Sequence, residues 1–149
     1  MIDIKFKLSP ESIKYLTELP KDFYKGLVQG MRNAMFYVEK EAKSSFGIAG
    51  NLKVGTGLLR RSIHTTVKPE GSSVTGTIGS DVVYARIHEY GGTIVPRTAK
   101  WLQFKVNGQW VRTDKVTIPA RPFLTPAITK NQEKIKDIIQ LAIEKEVPK

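Results

Sequence analysis

From Lys21 to Phe46 the sequence carries an apolar residue at every third or fourth position. Phe23, Leu27, Met31, Ala34, Met35, Val38, Ala42 and Phe46 fall on one stripe, and Lys25, Arg32, Glu39, Lys40 and Lys43 fill the other side. That spacing predicts a long amphipathic helix with one buried face. Gly26 and Gly30 lower its helix propensity by up to ~1 kcal/mol each. They mark either close packing against a sheet or a neighbouring subunit, or tolerated surface positions.

The rest of the chain offers short strands to cover that face. Ile2, Ile4, Phe6 and Leu8 alternate with polar residues, a period of two that predicts a half-buried strand. Ser9-Pro10 reads as a cap and first turn of a short helix over 10–19, closed by Pro20. Residues 47–55 hold three glycines and read as a loop, after which Thr56 caps a short turn through Leu58, Leu59 and Arg60. Ile63 to Val67 and Val74 to Ile78 flank the turn Glu70-Gly71-Ser72, which predicts a β-hairpin. Val82 to Tyr90 reads as a short helix or extended turn. Trp101–Val106 and Gln109–Thr113 flank Asn107-Gly108, a pair that favours a type I′ turn and a tight hairpin. Lys115 to Ile118 adds one more strand. From Pro122 onward Leu124, Ala127, Ile128, Ile135, Ile138, Ile139, Ala142 and Ile143 form a second helical stripe, ended by Pro148.

The fold class expected is α+β, with 1–149 as a single domain. A mostly antiparallel sheet packs against the long helix, and the C-terminal helix joins it on that face. The hairpin at 101–113 projects, because little apolar sequence precedes it to dock it and Lys105, Arg112 and Lys115 resist burial.

Three segments stand out by motif. They are Thr56-Gly57-Leu58-Leu59-Arg60-Arg61-Ser62-Ile63, Tyr84-Ala85-Arg86-Ile87-His88-Glu89-Tyr90-Gly91, and Pro119-Ala120-Arg121-Pro122-Phe123-Leu124-Thr125-Pro126-Ala127. In this order they resemble the HK97 gene-10-like phage proteins, neck or tail-completion components of long-tailed phages. Members of that family show T-G-x-L-x-x-S-I, Y-A-x-x-x-E-(Y/F)-G and P-A-R-P-F-L-x-P-A. The last segment is the most specific and is complete here. The resemblance covers roughly residues 20 to 145. It implies a structural role in the virion neck or tail, ring-like self-assembly, adjacent neck or tail proteins as partners, and no cofactor. It also marks Leu59, Ser62, Ile63, Tyr84, Glu89, Tyr90, Gly91, Pro119, Arg121, Pro122, Phe123, Leu124 and Pro126 as the assembly and structural motif. Glu89 and Arg121 are its leading polar pair. Each is able to anchor a turn by charge-assisted hydrogen bonds, to backbone groups or to the other. The reading adopted is that they hold the fold or a subunit contact and do no chemistry.

The residues themselves argue against an enzyme. His88-Glu89 opens a zinc-protease pattern, but Gly92 stands where its second histidine belongs. Gly55-x-Gly57 lacks the third glycine of a dinucleotide loop, and there is neither a phosphate loop nor a Gly-x-Ser-x-Gly elbow. The aspartates are scattered, and without cysteine no disulfide or thiolate metal site exists. No apolar run reaches the ~20 residues of a membrane helix. Without a signal-peptide core at its start, the chain is expected to act in the cytoplasm where it is made, and in the virion.

Net charge is +10, and residues 51–121 hold most of the excess, with 11 basic and 4 acidic side chains. An acidic partner, protein or nucleic acid, is one reading; solubility is the other. Arg97, Lys100, Trp101, Lys105, Trp110, Arg112 and Lys115 are the partner-contact candidates. The alternative function is a small basic nucleic-acid-binding protein that uses the 101–113 hairpin and the 47–61 loop.

Overall fold

The computed structural model describes residues 2–7, 21–48, 52, 54–71 and 73–147. The helix expected over 10–19 and the stop at Pro148 lie outside the described residues. The elements are β1 (Ile2–Lys7), α1 (Lys21–Ser44), α2 (Leu58–Ser62), β2 (Ile63–Glu70), β3 (Ser73–Ser80), α3 (Ala85–Tyr90), β4 (Gly92–Ile94), β5 (Leu102–Val106), β6 (Gln109–Thr113), β7 (Val116–Ile118), α4 (Thr125–Thr129) and α5 (Gln132–Glu146). The α+β class holds, with the sheets antiparallel throughout.

β1, β3 and β2 form a three-stranded sheet in that order, in register from Ile2↔Ser80 and Ile63↔Ser80. Alternation along β3 turns Val74 and Ile78 to the core, and both are wholly buried. Burying side chains of this size contributes roughly 1.5–3 kcal/mol each. α1 lies across this face. Gly76 of β3 leaves the space that Met31 and Met35 fill; a Cβ there would stand 2.5 Å from the Met35 sulfur. Thr65 of β2 donates to Glu39 of α1 at 2.9 Å.

The C-terminal helix differs from expectation. α5 packs on α1, antiparallel to it, and not on the sheet beside it. Gly26 and Gly30 explain why: a Cβ at either would come within 2.7 Å of the Ile143 Cα and 2.8 Å of the Ile139 Cα. The two glycines open a notch that lets the helix backbones touch, so α1 is the middle of three layers. Tyr37 to Asn131 at 3.0 Å and Lys25 to Glu146 at 2.6 Å tie the two ends. The helical stripe read from Pro122 onward is also two helices, broken at Lys130-Asn131. The Asn131 side chain donates to the Ala127 carbonyl at 2.9 Å while accepting from Tyr37. A short amide that bonds local backbone competes with the helix ladder.

The Asn107-Gly108 turn carries φ of 50° and 82°, the left-handed pair a type I′ hairpin requires. Its strands β5 and β6 pair only with each other, and β4 pairs with β7. These are two halves of one arm running from Gly92 to Ile118. Between the halves, residues 95–101 on the outgoing strand face only 114 and 115 on the return. The arm projects from the domain, and Trp101 and Trp110 are 48% and 64% exposed, so neither belongs to the core.

Candidate functional site: a clamped arm and the cleft at its base

α3 leads into the arm and the segment 118–125 leads out of it. Glu89, on the last turn of α3, is 2% exposed. Its carboxylate accepts three backbone N–H bonds, from Phe123 at 2.8 Å, Leu124 at 3.0 Å and Thr125 at 2.8 Å. The Leu124 and Thr125 amides stand at the cap and first position of α4, where N–H groups have no partner within the helix, and the Phe123 amide comes just before them. A buried carboxylate is tolerable when charge-assisted bonds replace its water. The Arg121 N–H donates to the His88 carbonyl at 2.7 Å and closes the same junction from the other side. Gly91 completes it. Its φ is +70°, and a Cβ would stand 2.7 Å from the Ala120 nitrogen.

This geometry resolves the polar pair read from the sequence. Glu89 anchors backbone, as one of the alternatives held. It does not pair with Arg121, whose side chain is exposed and reaches a neighbouring cleft. Phe123 and Leu124 are buried, and the Phe123 ring meets Phe46 edge-on at 5.2 Å. Pro126 sits in the first turn of α4, where a missing N–H costs nothing. Pro119, Pro122 and Tyr90 are exposed. In the first motif segment, Leu59 and Ile63 enter the core, and Ser62 shares a 2.7 Å hydroxyl contact with buried Ser80.

A cleft of about 320 Å³ lies where the three motif segments meet. Its wall includes Phe46, Leu52, Val54, Leu59 and Tyr84, with Arg60, Arg121 and His88 as its cationic or ionisable members. His88 makes an edge contact to Tyr84 at 5.8 Å, and its Nδ1 is buried with no hydrogen-bond partner among the described residues. Burial, and then the Arg121 charge, push the His88 pKa below its ordinary 6.5, so the ring is neutral at pH 7. The sequence places Arg60 in a short turn and His88 in a failed zinc pattern, and gives neither a role in a common cleft. The signal that could have marked Arg60 is the acid-free stretch from Ala42 to Pro69, which holds Arg60 and Arg61.

The arm has two unlike faces. Register places Gln103 opposite Arg112 and Lys105 opposite Trp110 on one side. Those pairs satisfy each other: Arg112 donates to Gln103 at 3.3 Å, and the Lys105 ammonium sits 5.0 Å from the Trp110 ring. The other side aligns Phe104 with Val111 and Ile94 with Val116, and alternation adds Leu102 and Val106. Ile94, Phe104, Val106 and Val111 are all 36–46% exposed. Arg97, Lys100 and Lys115 are exposed around the bend, with Lys100 5.4 Å from the Trp101 ring. No hairpin residue lines the cleft that the 47–61 loop helps to form. Among the described residues no His, Asp and Glu group is placed to hold a metal, and no helix is long and apolar enough to cross a membrane.

The three motif segments meet in one place, where two of them clamp the base of a projecting arm. Residues 39–144 match the phage virion morphogenesis family, and the chain belongs to that family. The assignment reaches the phage virion class to which the three segments point, without singling out the HK97 gene-10-like family. Comparison with curated proteins and with solved structures returned no match.

Proposed function

We propose that this chain is a structural neck or tail-completion component of a long-tailed phage or prophage virion, and that copies assemble in a ring. The observation that carries this is the arm's uncovered apolar face. A two-stranded ribbon is marginal in water by itself, and alternating sequence of this kind is built to bury one side. Here Ile94, Phe104, Val106 and Val111 stay exposed, with no covering layer among the described residues, while Leu102 is half-buried beside them. The clamp at Glu89 fixes the base of the arm while its outer length stays open. A contact between an arm on one side of a subunit and a different surface of the next is heterologous, and it gives a ring where the rotation between copies closes.

On this reading the isolated protein is monomeric or weakly associated, and the ring forms on a partly built particle among adjacent neck or tail proteins. It works in the host cytoplasm during assembly and remains in the virion. It has no catalytic task and needs no cofactor. The test is particle assembly without the chain: electron microscopy is expected to show separate heads and tails, restored when the protein is supplied. Intact, infective particles formed in its absence overturn the reading.

A further inference from the structure

The cleft at the base of the arm differs from the arm in kind. It is concave, its volume falls within the range of ligand sites, and its floor is apolar with a few polar groups at the edge. Among the described residues no carboxylate lines it. Glu89, next in sequence to His88, is engaged by three amides of the clamp. Arg60 and Arg121 are exposed, and neither is paired with a carboxylate among the described residues. The buried Nδ1 of His88 lacks a partner there too, and a buried polar atom without one calls for an explanation.

We infer that this cleft is a receptor for an acidic–apolar segment of a different protein of the particle. One carboxylate of that segment lies between Arg60 and Arg121, and a neighbouring apolar side chain fills the floor over Phe46, Leu52 and Leu59. Guanidinium forks suit a carboxylate, with charge and geometry both matched. Charge complementarity selects an acidic segment for the two arginines, and the copy-to-copy contact is assigned above to the arm, so the occupant is placed on a different protein. The shape favours a protein over a nucleic acid: a phosphate backbone is tracked by a row of cations along an open groove with free stacking rings, whereas two cations edge this apolar depression, and the rings of Phe46 and Tyr84 already meet Phe123 and His88. The inference rests on the assembly reading only for the identity of the partner as a particle protein. If particles form without this chain and the cleft still binds as below, the receptor stands and the neck role falls.

The probe is the peptide acetyl-Gly-Phe-Glu-Leu-Gly-amide, titrated against the full chain and followed by NMR of the arginine Nε–H and His88 ring signals. The Glu peptide is expected to shift Arg60, Arg121 and His88 signals. The Gln counterpart is expected to bind at least about tenfold more weakly, and Arg60→Gln and Arg121→Gln are expected to weaken the Glu peptide by about five- to tenfold each. Lys105→Gln, in the arm, is the control and leaves binding unchanged. Both arginines are exposed, so the variants should melt with the wild type. Equal binding of the two peptides, wild-type binding by both arginine variants, or no shifts up to about 10 mM peptide overturns the proposal. So does a short oligothymidylate that shifts these signals where the Glu peptide does not.

Discussion

Replacing Glu89 with Gln keeps the shape of the clamp and removes its charge. Oε2 accepts from Phe123 and Leu124, and Oε1 accepts from Thr125. With the Gln oxygen in the Oε2 position, two bonds survive at neutral strength, and the amide NH2 meets the Thr125 N–H, donor against donor. Bonds to a charged acceptor contribute about 1.5–3 kcal/mol, neutral ones about 0.5–1.5, and a buried donor left unpaired costs about 1–3. The three changes are coupled and do not add fully, so the expected loss for Glu89→Gln is about 2–4 kcal/mol. For a domain of this size that lowers Tm by about 5–15 °C. Glu89→Ala strands all three amides and leaves a cavity, and is expected to cost about 3–5 kcal/mol. Urea unfolding followed by circular dichroism measures both. Hydrogen exchange localises the effect: the Phe123, Leu124 and Thr125 amides should exchange faster in Glu89→Gln than their neighbours in α5. A Gln variant that melts with the wild type and keeps these amides protected refutes the clamp.

Gly26→Ala and Gly30→Ala should each destabilise by about 1–2 kcal/mol, because a methyl pressed on the α5 backbone outweighs the gain in helix propensity; a stabilised variant would mean that α5 does not sit in the notch. Arg121→Ala should melt within about 0.5 kcal/mol of the wild type, since its backbone and not its side chain holds the junction, yet fail to support particle formation. His88 has a folded pKa below its unfolded value, so its contribution is fully present above about pH 6.5 and is lost as pH falls below it. The slope of stability against pH just below 6.5 should therefore flatten in His88→Gln, and an unchanged slope rules the group out. Binding to generic duplex DNA should be absent even at low salt; tight, steeply salt-dependent binding would favour the nucleic-acid alternative.

What was legible in the sequence is what depends on near neighbours. The stripe from Phe23 to Phe46 specifies α1 because its period is set within a few residues. Asn107-Gly108 specifies its turn because two adjacent residues supply both positive φ values. The projection of the hairpin followed from its basic residues and the lack of an apolar lead-in, whereas Trp101 and Trp110 suited the core or a partner equally until the fold placed both outside. The clamp was only half legible. Glu89 and Arg121 stood out by motif, but Glu89 finds its donors 34 to 36 residues away, and nothing local distinguishes a backbone acceptor from an ion-pair partner. The same distance hid the notch at Gly26 and Gly30: a glycine in a helix reads alike whether it faces solvent or another backbone. The cleft was invisible for the same reason, since Arg60, His88 and Arg121 come from three separate segments that only the fold brings together.

The central claim is that the arm's apolar face is an assembly contact and not part of the folding core. Phe104→Asp tests it most directly, because Phe104 lies mid-arm on that face and outside the buried core cluster. Its melting temperature is compared with the wild type, and particles made with it are counted by electron microscopy. The account predicts a variant that melts with the wild type but yields heads and tails that do not join. A variant that unfolds, or one that melts normally and builds intact particles, contradicts it.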